Sequence, residues 1–172
     1  MRLFIAIRFS DEILDFLEAA QDEMKRAGIR GRYAPRENLH LTLAFIGEYD
    51  DVEAVREAMS KAVSGSFELR ISGTGSFGSI LWAGFEKSEK LVKLVKGLRH
   101  FLAESSVPFD RKRFSPHITL VRDAGVPRDL EFGRDFMKGS GPVTVDRISL
   151  MRSDRGKKGM VYTEIASAEL DA

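Results

Sequence analysis

Two short motifs carry the residues of this sequence that are best suited to chemistry. Residues 40–43 read His-Leu-Thr-Leu and residues 117–120 read His-Ile-Thr-Leu, so the same pattern recurs 77 positions along the chain. That spacing is close to half of the 172 residues, as expected if two similar halves each contribute one motif. The chain contains 3 histidines, and two of them have these matched surroundings. The motifs are therefore the leading candidates for a functional site.

In each motif the histidine and the threonine lie two positions apart, which is the period of a β-strand. Both side chains then point from the same face, roughly 6–7 Å apart along the strand. Two such strands facing one another would form a cleft containing His40, Thr42, His117 and Thr119. Imidazole titrates near neutral pH, so one ring could take a proton from a nucleophile while the other gives one to a leaving group. Threonine hydroxyls could bind the oxygens on which charge develops.

The residues alone leave other interpretations of these motifs open. A His-x-Thr pair in a strand can be a half-buried polar pair without chemical function, although the doubled pattern argues against this. Two histidines without a neighbouring carboxylate form a poor metal ligand set, so we expect no metal and no cofactor. A third possibility is a module that binds a nucleotide or RNA without turnover. His100 is expected on the exposed face of a helix and outside the site.

The composition excludes several classes of protein. The 27 Lys and Arg balance 26 Asp and Glu, and a net charge of +1 excludes a uniformly basic nucleic-acid coat but not a local basic site. With 0 cysteines the chain has no disulfides, iron–sulfur clusters or thiol nucleophiles. No apolar run approaches the length of a membrane span, and the apolar start is too short for a signal peptide. We expect a cytoplasmic protein that is a monomer.

The hydrophobic pattern predicts interleaved strands and helices in one domain over residues 1–172. Helices are predicted to begin at Ser10, Asp51 and Ser88, which are suitable N-cap residues, and to end near 28, 65 and 103. A short helix led by Pro127 is predicted over 127–137, and a basic loop over 152–158. The predicted strands cover 3–9, 39–46, 67–71, 80–85, 117–121, 143–151 and 160–168. Such a pattern indicates an α+β or α/β fold.

Two longer segments carry a resemblance to a known family. Residues 35–47, around the first motif, and residues 114–122, around the second, resemble the paired signatures of the two-histidine phosphoesterase superfamily. More narrowly, they are similar to RNA 2′,3′-cyclic phosphodiesterases, also called 2′-5′ RNA ligase-like proteins. The similarity extends to residues 2–7 and 148–153, so it covers nearly the whole chain.

The resemblance implies a bilobed α+β fold with pseudo-twofold halves. Mainly antiparallel sheets, flanked by helices, would meet at an active-site cleft. His40 and His117 would be the catalytic pair, and Thr42, Thr119 and Arg122 would bind the phosphate. Phe45, Phe114 and Tyr33 lie near the motifs in the sequence and could stack on a base.

The implied reaction is metal-independent hydrolysis of RNA 2′,3′-cyclic phosphate ends, or of cyclic nucleotides, to 2′-phosphates. His117 would activate water and His40 would protonate the departing 3′-oxygen, although the near-identical motifs leave this order open. Joining of RNA ends through a 2′-5′ linkage is an alternative. Residues 111–113 and 152–158 are basic and are either docking surfaces for RNA phosphates or ordinary solvated charge.

Overall fold

The computed structural model describes residues 1–134, 136–137 and 139–172. Its helices are α1 (Asp11–Arg26), α2 (Val52–Ala62) and α3 (Glu89–Glu104), and a 3₁₀ turn covers Arg36–Asn38. The strands are β1 (Arg2–Ile7), β2 (Arg30–Tyr33), β3 (Leu41–Glu48), β4 (Phe67–Phe77), β5 (Ile80–Phe85), β6 (Ile118–Gly125), β7 (Pro142–Val145), β8 (Arg147–Gly156) and β9 (Gly159–Glu169).

The strands form two antiparallel sheets. One has four strands in the order β3-β1-β8-β9, and the other has five in the order β2-β6-β5-β4-β7. Helices α2 and α3 pack on strands of the four-stranded sheet, whereas α1 contacts β6 of the five-stranded sheet. The prediction of an α+β fold with antiparallel sheets and flanking helices is confirmed. Because each sheet contains one of the two motifs, the architecture assigns one motif to each half.

Local sequence signals account for the ends and faces of the helices. The side chains of Ser10, Asp51 and Ser88 each accept a hydrogen bond from a backbone N–H in the first turn of the helix that follows. Such bonds satisfy donors that a helix start leaves unpaired, and they confirm the three predicted N-caps. The buried side of α3 carries the expected leucine and valine stripe. Among the described residues, no helix is both long and apolar enough to cross a membrane.

Strand β4 is longer than the sequence pattern predicts. The glycines after residue 71 were expected to end it, but the strand continues to Phe77 and pairs with β5. Gly73 has a φ of 80° at a point where the register shifts, a conformation that glycine adopts without steric cost. At Gly75 a Cβ atom would approach the Trp82 ring. These glycines therefore accommodate an irregular strand under an aromatic ring, rather than a turn.

Three other predicted segments differ in the structure, and one strand was missed. The strand predicted over 143–151 is interrupted at Asp146, so that β7 pairs in the five-stranded sheet and β8 in the four-stranded sheet. A short helix was expected over 127–137, a range in which the structure describes every residue except Asp135. The described residues of this range form no helix. Instead, the carbonyl oxygens of Gly133 and Arg134 accept hydrogen bonds from Thr74. The expected loop over 152–158 is a continuation of β8 and β9, which pair as far as residues 156 and 159 around a two-residue turn. Strand β2 was missed because it reads Arg-Gly-Arg-Tyr, is mostly exposed and has no apolar alternation; it is a strand through its pairing with β6.

Candidate active site

A cleft of about 730 Å³ brings the two motifs together. His40 lies one residue before β3 in the four-stranded sheet, and His117 lies one residue before β6 in the five-stranded sheet. Both histidines, together with Thr42 and Thr119, line this cleft. The arrangement expected from the strand period is therefore present: the apolar motif residues are buried in the core, and the His and Thr side chains face a common space.

The two imidazole rings are held in the same way. Nδ1 of His40 lies 2.6 Å from the backbone oxygen of Asn38, and Nδ1 of His117 lies 2.7 Å from that of Ser115. A carbonyl oxygen can only accept a hydrogen bond, so each Nδ1 carries a hydrogen and donates it. In both rings Nε2 is consequently the nitrogen that can exchange a proton with a substrate.

His40 is more enclosed than its counterpart and is linked to its own threonine. Its Nε2 lies 2.8 Å from Oγ1 of Thr42. Burial lowers the pKa of His40, and nearby cationic side chains, Arg122 first among them, lower it further, while the hydrogen bond to Asn38 opposes them. Arg122 of the second motif strand lines the same cleft as His40, so its charge can act on this ring.

Aromatic side chains flank each catalytic candidate. The ring of His40 lies 5.0 Å from Phe4 and 5.4 Å from Tyr162, measured between ring centroids. The ring of His117 lies 5.1 Å from Phe77 and 6.5 Å from Trp82. These rings restrict the orientation of the imidazoles and exclude water from one side of each. None of these four rings was predicted as part of the site, because they belong to strands that are distant in sequence from the two motifs. Their place in alternating strand patterns indicates a strand but not a neighbouring histidine.

The remaining predicted site residues occupy different places. Arg122, Tyr33 and Phe45 line the cleft, with Phe45 51% exposed at its rim. Tyr33 donates its hydroxyl hydrogen to the Ile29 carbonyl and has the Lys25 ammonium 4.8 Å from its ring centroid, so its hydroxyl and one face of its ring are already engaged. Phe114 is half-buried against the hydrophobic core and is not among the residues that line the cleft.

The segment before the first motif is tied to both halves of the molecule. The side-chain nitrogen of Asn38 donates to the Met160 carbonyl of β9. Gln21, a buried residue of α1, donates from Nε2 to the carbonyl oxygens of Ala34 and Leu120, at 2.9 and 3.0 Å. Leu120 belongs to the second motif and directly follows Thr119. One buried amide therefore joins the approach to His40 to the strand that carries the other motif.

His100 provides an internal contrast to the two motif histidines. It is exposed on α3, where it pairs with Glu104 at 3.7 Å, as the sequence predicted. Arg36, in the 3₁₀ turn, forms salt bridges with three carboxylates of α1 from Asp11, Asp15 and Glu18. It therefore anchors the His40 segment to that helix and is not itself available to a substrate.

Two antiparallel sheets, each contributing one histidine and one threonine to a common cleft, define an α+β protein with a paired-histidine site. The chain belongs to the 2′-5′ RNA ligase superfamily, whose family model matches residues 9–157. This confirms the resemblance identified from the motifs.

Individual relatives agree with this membership. The chain is 29% identical to an RNA 2′,3′-cyclic phosphodiesterase of Thermotoga maritima, over 99% of this chain and 96% of the relative. It is 32% identical to one of Thermus thermophilus, over 99% and 90%. The crystal structure of Escherichia coli LigT in apo form superposes with a TM-score of 0.81 at 27% identity, covering 99% of this chain and 98% of LigT. LigT complexed with 3′-AMP gives a TM-score of 0.80 at 27% identity, over 98% and 96%.

Proposed function

We propose that this protein hydrolyses 2′,3′-cyclic phosphate ends of RNA, leaving a 2′-phosphate and a free 3′-hydroxyl. The observation that carries the proposal is the pair of imidazoles that present Nε2 in one cleft. The names of the full-length relatives support this substrate class, and so does the crystal structure of LigT, a protein of this fold, complexed with 3′-AMP. A binding module would not need two proton carriers.

The reaction requires one ring to accept a proton and the other to donate one. In the proposed order, Nε2 of neutral His117 takes a proton from water, and the water oxygen bonds to phosphorus. The bond between phosphorus and the 3′-oxygen breaks, and Nε2–H of protonated His40 gives its proton to that oxygen. The two rings then return to their starting states by exchanging protons with solvent. Each such proton transfer contributes about 10²–10⁴-fold to the rate.

Thr42, Thr119 and Arg122 have a supporting role in this proposal. The hydroxyls donate hydrogen bonds to the non-bridging phosphate oxygens, and the guanidinium adds a positive charge. Charge on these oxygens increases as water attacks, so donors already in place stabilise the transition state more than the substrate. All three residues line the same cleft as the histidines.

The lowered pKa of His40 bears on the order of the proton transfers. Burial and positive neighbours favour the neutral form of the His40 ring. A bound phosphodiester anion counteracts this, because an adjacent negative charge favours the protonated imidazole. We therefore propose that His40 acquires its proton together with the substrate, which couples binding to the acid step.

The substrate and product of the reaction can be tested directly. Purified protein is incubated with an RNA that ends in a 2′,3′-cyclic phosphate, and the position of the product phosphate is identified. His40→Ala and His117→Ala should each lower kcat by at least about 100-fold. His100→Ala is the matched control, because this exposed histidine lies outside the cleft and should retain full activity. Full activity of either motif variant would refute the proposed site.

The order of the two histidines requires a different substrate. If sulfur replaces the departing 3′-oxygen, the leaving thiolate needs far less protonation, since thiols are much stronger acids than alcohols. His40→Ala should then recover most of its lost rate, whereas His117→Ala should not. Recovery by His117→Ala alone would reverse the assignment.

We further propose that one chain works without a metal ion. Both histidines come from the same chain, so a second copy is not needed to complete the site. The residues that the structure describes contain no group of three or more His, Cys, Asp or Glu side chains suited to hold a metal. Turnover should persist in EDTA, and light scattering under assay conditions should give the mass of a monomer. Loss of turnover in EDTA, restored by a divalent cation, would contradict the metal-free mechanism.

A further inference from the structure

We infer that the preferred substrate contains at least two nucleotides, and that Arg2 and Lys158 bind the phosphate joining the last two. The inference rests on the proposed function, because the terminal cyclic phosphate is taken to lie between the two histidines. It adds a second phosphate subsite at the rim of the same cleft. An oligonucleotide end would then be distinguished from a free cyclic mononucleotide.

The first of these cations is an exposed residue that lines the cleft beside the surroundings of His40. Arg2 of β1 pairs in register with Ser153 of β8, and Ser153 pairs with Tyr162 of β9. The three residues therefore form a row across neighbouring strands, and all of them line the cleft. Tyr162 also contacts the His40 ring. The row thus leads from the catalytic candidate to the guanidinium of Arg2.

The second cation is carried by a projecting hairpin. Strand β1 begins at Arg2, opposite Ser153, while β8 and β9 continue to pair as far as Gly156 and Gly159. The end of this hairpin therefore extends past β1 and forms a wall of the cleft, with Lys158 in its turn and among the lining residues. The hydrogen bond from Asn38 to the Met160 carbonyl attaches the hairpin to the segment that holds His40.

The distribution of charge indicates what these cations bind. Arg32 also lines the cleft but forms a salt bridge with Asp123 at 2.6 Å, and Asp110 is an acidic residue of the lining. Among the described residues, neither Arg2 nor Lys158 forms a salt bridge. A terminal cyclic phosphate has one negative charge, which the histidines and Arg122 can already balance. Two further cations match the next phosphate of a chain.

The second basic segment of the sequence, residues 111–113, lies outside the cleft. Residues 111–113 are exposed and do not line the cleft, and the Arg111 guanidinium lies 4.5 Å from the centroid of the Phe109 ring. Of the two basic segments, only the hairpin turn contributes a residue to the cleft. Lys157, its exposed neighbour in the turn, does not line the cleft and serves as a matched control.

Three substrates distinguish an effect of the second phosphate on the rate from an effect of the second base. They are a 2′,3′-cyclic mononucleotide, a dinucleotide with the same cyclic end, and that dinucleotide with an uncharged methylphosphonate linkage. For the wild-type protein we expect kcat/KM to be about tenfold higher for the charged dinucleotide than for the other two, as for one charge-assisted contact. Raising the salt concentration should reduce this advantage.

Substitutions of Arg2 and Lys158 test whether the preference for the charged dinucleotide depends on these two cations. Arg2→Ala and Lys158→Ala should each reduce the ratio of kcat/KM for the charged dinucleotide to that for the mononucleotide at least threefold. The double variant should abolish the preference. Lys157→Ala, which removes the same charge one residue away, should leave the ratio unchanged. An equal loss on all three substrates would show that the cations act on the terminal phosphate, and would overturn the inference.

Further outcomes keep this inference separate from the proposed function. Equal kcat/KM for the charged and methylphosphonate dinucleotides in the wild-type protein would refute the second phosphate subsite while leaving the hydrolysis intact. Failure to hydrolyse any of the three would refute the proposed function. The subsite is then decided by calorimetric binding of a dinucleotide 2′-phosphate with a charged or a neutral linkage: a tenfold difference that disappears in the double variant supports it, and equal affinities overturn it.

Discussion

Replacing Gln21 by leucine should slow catalysis although the residue does not touch the cleft. Its buried amide donates to the carbonyl oxygens of Ala34 and Leu120, and thereby links the segment leading to His40 with the strand that carries Thr119. Leucine has a similar size but no donor. The two motifs then lose the side-chain hydrogen bonds that set their relative position.

The cost in stability follows from the two lost hydrogen bonds. Each contributes roughly 0.5–1.5 kcal/mol, so Gln21→Leu should lower the free energy of unfolding by about 2 kcal/mol. For a chain of this size that corresponds to a decrease in Tm of about 4–8 °C. The Leu120 oxygen keeps a partner, because it also accepts from the Ala34 N–H, which limits the penalty. A displacement of one motif by about 1 Å can cost up to 10²-fold in rate, and we expect about tenfold in kcat.

A control variant with the same loss of stability distinguishes a displacement of the motifs from general destabilisation of the fold. Val145 is fully buried on β7, which forms an edge of the five-stranded sheet and does not line the cleft. Val145→Ala should also cost about 2 kcal/mol. Both variants are assayed for kcat and KM at 25 °C, well below their melting temperatures. Gln21→Leu should lose kcat with KM changed less than threefold, and Val145→Ala should lose neither.

The reasoning about Gln21 fails if the two variants behave alike. An unchanged kcat in Gln21→Leu, together with the expected drop in Tm, would show that the amide only stabilises the fold. A decrease of kcat to the same extent in Val145→Ala would show that activity follows stability in this protein. In both cases the bond between the two motif segments would have no special effect on the chemistry.

The pKa of His40 and the packing of Trp82 lead to two further predictions. Because the folded state lowers the pKa of His40, the unfolded chain binds more protons in the window between the lowered pKa and about 6.5. The unfolding free energy should therefore decrease as the pH is lowered through this window, and it should decrease more in the wild type than in His40→Gln. Urea titrations at several pH values measure this, and parallel curves would contradict it. Gly75→Ala places a Cβ in steric conflict with the Trp82 ring, so it should destabilise the fold by about 1–3 kcal/mol and shift the fluorescence of this single tryptophan. Gly65→Ala, where a Cβ meets nothing within 4 Å, should leave both unchanged.

Most of the secondary structure could be predicted because its causes are local. Apolar residues at period two or at helical spacing, and N-cap residues such as Ser10 and Ser88, act within a few positions of the chain. The failures arise where distant contacts decide. The segment after Pro127 hydrogen-bonds to Thr74, and β2 is a strand only because β6 pairs with it.

The doubled His-x-Thr pattern alone predicted the two candidate histidines and the strand face that each shares with its threonine, since that geometry depends only on the strand repeat. The partners of these residues come from the tertiary structure. Phe4 and Tyr162 reach His40, and Gln21 joins the two motif segments, through cross-strand register and helix packing. Residues 2 and 158 share a rim for the same reason. Register between strands far apart in the chain has no local signature, so only the folded protein brings these side chains together.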